Sequence, residues 1–178
     1  LIALVVIFLA VPFVFNLVLD IHPQFLIGIF QGYQNQNSYE PRFGLTPGEN
    51  IRENGIVYLN DIRYAEEYPN SFLDISYPDS DIEKVRPTFI YIHGGGFFGG
   101  DKIAGDPLAV NTDSNYLFDS IILEGYNLVN MNYALVPQYL FPTPELQLDQ
   151  AVRFLQEHAE EYHLDMTNVI IMGQSGGA

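Results

Sequence analysis

The stretch Val169-Ile170-Ile171-Met172-Gly173-Gln174-Ser175-Gly176-Gly177 decides how the rest of the chain is read. Four apolar residues, mostly β-branched, predict a short buried strand. They run directly into Gly-x-Ser-x-Gly, the pattern of a nucleophile elbow. In that turn a strand gives way sharply to a helix, small flanking residues permit the strained backbone, and a serine hydroxyl stands above the sheet. Ordinary turns after strands also carry Gly and Ser, so the pattern needs support from elsewhere. It comes from His93-Gly94-Gly95-Gly96, which follows a second apolar run, Thr88 to Ile92. A glycine loop at the end of a buried strand can turn backbone N–H groups toward an oxyanion.

Between these two motifs the pattern alternates. Asp113 to Leu123 predicts a helix stopped by Gly125, and Asn127 to Tyr133 a strand. Pro137, Pro142 and Pro144 punctuate a connection into a second helix from about Glu145 to His163. Its stripe Leu148, Val152, Leu155, Ala159, Tyr162 steps by three and four, so one face packs on a sheet. Asp165 and Asn168 mark the turn into the final strand. Strand, helix, strand, helix, strand implies an α/β fold with a mostly parallel sheet, right-handed crossovers and helices on both faces. Upstream, Gly55 to Tyr64 and Ser71 to Tyr77 are rich in Tyr, Ile, Val and Phe and suit an antiparallel pair at the sheet edge.

The N-terminal end is different in kind. Leu1 to Leu19 contains no charge, and 15 of its 19 residues are Leu, Ile, Val or Phe. As a helix it would be about 28 Å long, close to the ~30 Å hydrocarbon core of a bilayer. It shows no polar face, so a transmembrane anchor is expected over residues 1–19. A cleaved signal peptide is the rival, although no small-x-small cleavage site follows Leu19. Residues 20–54, rich in Gly, Asn, Gln and Pro, read as a juxtamembrane connector, and 55–178 as the N-terminal part of the α/β domain. Lys and Arg are absent between Leu19 and Arg42, which favours the C-terminal side outside the cytoplasm. The chain starts at Leu1 and stops three residues past Ser175, and it is read as a piece of a longer one.

Seven basic against 22 acidic residues give a net charge of −15. Such a surface repels phosphate backbones, which argues against nucleic acid as a partner. Cysteine is absent, so disulfides and Cys-based zinc sites are excluded. Asp79, Asp81 and Glu83 alternate like the start of a calcium loop. However, Lys84 stands where that loop needs glycine, and a solvated turn is expected instead. Gly94-x-Gly96-x-x-Gly99 also fits a dinucleotide fingerprint, yet Gly100, Asp101 and Gly105-Asp106-Pro107 open no helix at the third glycine. Neither a metal nor a cofactor is expected.

A serine hydroxyl needs a base, usually a histidine held by a carboxylate. His158 and His163 lie five apart on one helix, roughly 140° round from each other, and are read as solvated positions. His93 precedes the glycine loop at a strand end, where a supporting role, hydrogen-bonding the loop backbone, is expected over general base. Phe97 and Phe98 follow the glycines. One of them can line a substrate pocket, and core packing is an equal alternative.

These motifs carry a resemblance. From about Ser71 onward the chain resembles the esterase/lipase group of α/β-hydrolases close to hormone-sensitive lipase and bacterial carboxylesterases. The carriers are His93-Gly-Gly-Gly-Phe-Phe-Gly-Gly-Asp-Lys102, Asn132-Tyr-Ala-Leu-Val-Pro137, Phe141-Pro142 with Asp149 and Ala151, and Gly173-Gln-Ser-Gly-Gly177. The resemblance implies an α/β-hydrolase fold in which Ser175 is the nucleophile and Gly95, Gly96 and Gly176 donate oxyanion N–H groups. It also implies that the acid and the histidine follow Ser175 in the chain. The group often has Asp-Tyr-Arg where this chain has Asn132-Tyr133-Ala134, and Asp-Ser-Ala where it has Gln174-Ser175-Gly176, which blurs the substrate. The expected function is a membrane-anchored serine hydrolase acting on a small-molecule carboxylic ester. A peptidase or amidase on the same triad is an alternative, as is a non-catalytic binding module of the cell envelope on the same fold.

Overall fold

A computed structural model describes residues 37, 39, 48–51, 54–102 and 113–178 of the chain. In chain order the elements are β1 (Gly48–Ile51), β2 (Val57–Arg63), β3 (Phe72–Tyr77), β4 (Arg86–Ile92), α1 (Asp113–Leu123), β5 (Asn127–Met131), α2 (Thr143–Glu157) and β6 (Leu164–Gly173). A single 3₁₀ turn, Ser175–Gly177, follows β6. The six strands form one sheet in the order β1-β2-β3-β5-β4-β6.

The sheet is mixed, where a mostly parallel one was expected. β1 with β2, β2 with β3 and β3 with β5 run antiparallel, and only β4 with β5 and β4 with β6 run parallel. The physical reason lies in the connections. A short link from Tyr64 to Ser71 can only return the chain antiparallel, whereas α1 and α2 are long enough to carry it back for parallel pairing. The sheet also begins earlier than the sequence suggested, since β1 lies inside the stretch read as connector. Residues 1–36 lie outside the described residues, and the expected anchor with them. Among the described residues no helix is long and apolar enough to cross a membrane.

Side-chain alternation sorts the core into two layers. Phe89 and Tyr91 of β4 and Leu128 of β5 pack with Phe118 and Ile122 of α1. Ile90 and Ile92, with Val129 and Met131, pack with Ala151 and Leu155 of α2. Successive residues of a strand point to opposite faces, so each helix covers one face of the same two strands. Helices on both faces therefore hold as expected.

Two elements differ in detail. α2 ends at Glu157, and its buried residues are Gln147, Ala151 and Leu155. Leu148, Val152 and Tyr162 are only partly covered. The helix is thus turned by about one residue from the expected stripe, which sends a glutamine inward. β6 begins at Leu164, and its pairing with β4 jumps from Pro87↔Asp165 to Thr88↔Val169. Asp165 accepts the Thr167 N–H at 2.9 Å inside that irregularity, so the expected turn is a bulge within the strand. The strand was read as buried, yet Ile170 and Ile171 are 41% and 51% exposed. Among the described residues β6 pairs along one edge only.

Candidate active site

Register brings the two motifs together. β4 and β6 are parallel neighbours with Ile92 opposite Gly173, so the glycine loop and the serine turn leave the sheet side by side at the carboxyl ends of their strands. The Gln174 N–H donates to the Ile92 carbonyl at 3.1 Å and carries the ladder one residue into the turn. Open α/β sheets hold their ligand sites outside these strand ends.

Ser175 has φ = 52°, in the left-handed region that side chains with a Cβ avoid. Holding it there costs on the order of 1–3 kcal/mol, which the surroundings must supply. They do so by close approach. A β-carbon on Gly173 would lie 2.0 Å from the Gly177 carbonyl oxygen, so the turn closes this tightly only without one. The residue before the serine is held as well, because Tyr91 donates its hydroxyl to Gln174 Oε1.

The glycine loop folds against this turn. A β-carbon on Gly176 would lie 3.0 Å from the Gly96 nitrogen and 3.1 Å from the Phe97 nitrogen. The three residues Gly95, Gly96 and Phe97 have φ of 116°, 60° and 68°. Gly95 is the tightest point, where a β-carbon would stand 2.1 Å from the Gly99 carbonyl oxygen. The Phe98 N–H is already committed to the Gly95 carbonyl at 3.0 Å. Ser175, Gly95, Gly96 and Gly176 thus come to one place, with Ser175, Gly95 and Gly96 exposed to solvent.

His93 lies beneath the loop. Its ring stacks on Tyr133 with centroids 4.4 Å apart, and its Nδ1 is 2.7 Å from the Gly94 carbonyl, to which an Nδ1–H donates. Tyr133 in turn donates its hydroxyl to the His93 carbonyl at 2.8 Å. Burial holds the imidazole below its ordinary pKa, so it sits neutral under the loop. Phe97 packs on the core with its ring 6.3 Å from that of Tyr133. Phe98 is half-buried, with its ring edge 3.4 Å from where a Gly96 β-carbon would stand. Phe97 thus takes the core alternative, while the Phe98 ring lies against Gly96 of the loop.

Three supports carry little signal in the sequence. Lys102 is buried, with Nζ 2.8 Å from Asp61 Oδ1 and 2.6 Å from Asp74 Oδ1. Gln147 is fully buried: its Oε1 accepts the Ala134 N–H at 2.7 Å, and its Nε2 reaches the Pro69 carbonyl at 3.1 Å and Ser71 Oγ at 3.0 Å. Tyr64 donates to the Asn132 carbonyl at 2.7 Å. A polar residue in phase with Ala151 and Leu155 was the available clue to Gln147. Other candidates resolve into surface structure. Arg86 Nη2 reaches both Asp79 carboxylate oxygens at 2.8 and 3.0 Å, and His158 pairs with Glu161 at 2.8 Å. Among the described residues no three His, Cys, Asp or Glu side chains gather as a metal site.

Comparison with known proteins agrees with this fold. The chain is 29% identical to an ethyl acetate hydrolase of Pseudomonas putida over 100 residues, covering 56% of this chain and 29% of the relative. It is 26% identical over 91 residues to an alpha/beta hydrolase of Acanthamoeba polyphaga mimivirus, covering 51% and 24%. The chain therefore spans about a quarter of the length of these curated relatives. Among solved structures, esterase B of Lactobacillus rhamnosis matches at 25% identity and a TM-score of 0.58, over 72% of this chain and 38% of that one. A bacterial heroin esterase matches at 25% and 0.52, over 75% and 38%. The profile of the BD-FAE family matches residues 73–178, from β3 through both motifs, and the chain belongs to that family of α/β-hydrolases.

Proposed function

We propose that the protein is a serine hydrolase that cleaves carboxylic esters through an acyl-enzyme on Ser175. The observation that carries the reading is the backbone of Ser175, held at positive φ on a strand end with the following residue packed against the Gly96 and Phe97 nitrogens. Esterase names among the relatives and structural neighbours support ester rather than amide chemistry.

In this reading the Ser175 Oγ attacks the ester carbonyl carbon while a base takes its proton. The carbonyl oxygen becomes an oxyanion, which the N–H groups of Gly95, Gly96 and Gly176 stabilise. Collapse expels the alcohol and leaves an acyl-serine that water then hydrolyses. Rigid backbone donors suit the task because they need no reorganisation as charge develops. In this reading His93 supports the loop rather than acting as the base, which its burial under the loop, its stacking on Tyr133 and its bond to the Gly94 carbonyl favour. The histidine and carboxylate of the triad are assigned to residues after Ser175, as the chain order of this fold requires. The uncharged residues 1–19 support a membrane anchor that places the catalytic domain outside the cytoplasm.

A serine-directed fluorophosphonate applied to the full-length protein tests the chemistry. Labelling at Ser175 is expected, and its loss in Ser175→Ala. Labelling that survives the substitution moves the nucleophile elsewhere, and a wild type that neither labels nor turns over an ester leaves a non-catalytic binding module. Carbonate washing of membranes tests the anchor, which quantitative release of the protein would refute.

A further inference from the structure

The glycine loop has two ends, and only one of them is a strand. His93 continues β4, whereas Lys102 closes the loop by diving into the protein. Its ammonium lies between two carboxylates, 2.8 Å from Asp61 Oδ1 and 2.6 Å from Asp74 Oδ1, with the three side chains 3–4% exposed. Its backbone N–H donates to Asn132 Oδ1 at 2.6 Å. The carboxylates are themselves aimed. Asp74 Oδ1 accepts the Asp61 N–H at 2.8 Å and its Oδ2 accepts the Tyr58 hydroxyl at 3.2 Å. Asp61 sits at the register shift between Leu59 and Ile62 with φ = 61°, a strained position of the kind that re-aims a side chain at a bulge. Tyr39 completes the enclosure, donating its hydroxyl to Asp61 while Nζ stands 5.1 Å from its ring centroid.

A buried ion cluster is a poor way to gain stability alone, because well-packed apolar residues of similar volume often do as well or better. What charge adds is direction, since the ammonium has one place where both carboxylates meet it. We propose that Lys102, fixed by Asp61 and Asp74, is a positioning residue that sets the height of the Gly95–Gly96 N–H groups over the serine turn. The inference rests on the reading of Ser175 as an ester-hydrolysing nucleophile and adds to it the element that aligns the oxyanion donors. An N–H displaced by about 1 Å from a developing charge can cost on the order of 100-fold in rate. Ground-state binding of the ester uses these donors less, because they face the tetrahedral oxygen.

The test uses the full-length protein. In Lys102→Met, kcat per Ser175 titrated by fluorophosphonate should fall about 10- to 100-fold on a short-chain p-nitrophenyl ester, with KM changed less than about threefold. Affinity for a boronic acid that forms a tetrahedral adduct with the serine should fall by the factor seen in kcat. Amide hydrogen exchange of residues 94–100 should accelerate while that of β5 stays unchanged. Should Lys102→Met fail to fold, Asp61→Asn keeps one carboxylate on the lysine, and a smaller fall in kcat with the same split is expected. Unchanged kcat per titrated site in a folded variant overturns the proposal, and so does a fall in kcat that neither boronate affinity nor exchange of residues 94–100 shares. A wild type without turnover refutes the ester reading instead. The hydrogen-exchange arm then still decides whether Lys102 holds the loop.

Discussion

The two ends of the glycine loop are held in opposite ways. At the upstream end nothing is charged: His93 stacks neutral on Tyr133, and Gly94 and Gly95 fit because they lack side chains. At the downstream end two carboxylates grip one ammonium in the interior. Burial pushes Asp74 up to about 6 even with Lys102 beside it. Burial alone would depress Lys102, but Asp74, Tyr39 and Asp61 more than offset this and hold it above its ordinary value. The difference teaches that one end is specified by missing atoms and the other by directed charge. The first should answer to added volume, the second to neutralising substitutions, and the two to pH with opposite signs.

The largest effect expected from breaking the packed end comes from Gly95→Ala. A methyl 2.1 Å from the Gly99 carbonyl forces the backbone apart, and kcat should fall at least about 100-fold through loss of an oxyanion donor. Gly96→Ala is the informative contrast. Its methyl meets only the Phe98 ring at 3.4 Å, so the cost is mainly that of left-handed backbone, about 1–2 kcal/mol of stability, with a smaller fall in kcat than in Gly95→Ala. Equal effects from the two would mean that volume is not what specifies this end.

The charged end is separated by pH. Asp74 keeps its proton in the folded state to about pH 6, whereas an unfolded aspartate loses it near pH 3.9. Between those values the folded state binds more protons than the unfolded one, so this group's contribution to stability declines as pH rises. Wild-type unfolding free energy measured from pH 4 to 6 should fall relative to Asp74→Asn. A constant difference would show that Asp74 titrates normally. At the packed end the sign reverses. His93 is held below its ordinary value, so its contribution is lost as pH falls below about 6.5, where the unfolded histidine charges first.

Tyr133→Phe should act less, removing one hydrogen bond to the His93 carbonyl for about 1 kcal/mol of stability by urea unfolding. Its effect on KM should be negligible. Smallest of all, Arg153→Ala removes only an exposed pair with Asp149, 69% and 58% exposed. No measurable change in the unfolding midpoint is expected, although Asp149 belongs to one of the stretches that carry the family resemblance.

Much of this architecture was legible before any coordinates. β2 to β5 and α1 follow from alternation, run length and a glycine stop, and both site motifs follow from their strand-to-glycine junctions. What escaped was of one kind. The strand at Gly48–Ile51 has no apolar alternation and exists because β2 offers it an edge. The stripe of α2 turned by a residue because Gln147 found four partners inside, Ala134, Tyr64, Pro69 and Ser71, and burial then cost little. Lys102 stood in a motif, yet a lysine reads as solvated unless its partners are known. Those partners come from β2 and β3, 41 and 28 residues earlier in the chain.

By itself, then, the sequence determined which residues could do chemistry, because Gly-x-Ser-x-Gly and the glycine run are local patterns whose backbone demands are met within a few positions. Only the tertiary structure decided that they meet. The register Ile92↔Gly173 sets the two turns side by side, the mixed direction of the sheet follows from connection length, and the buried charges under the loop are permitted only by neighbours distant in sequence. Local propensity acts over a turn of chain, while desolvation and close approach are decided by whatever the fold brings within a few ångströms.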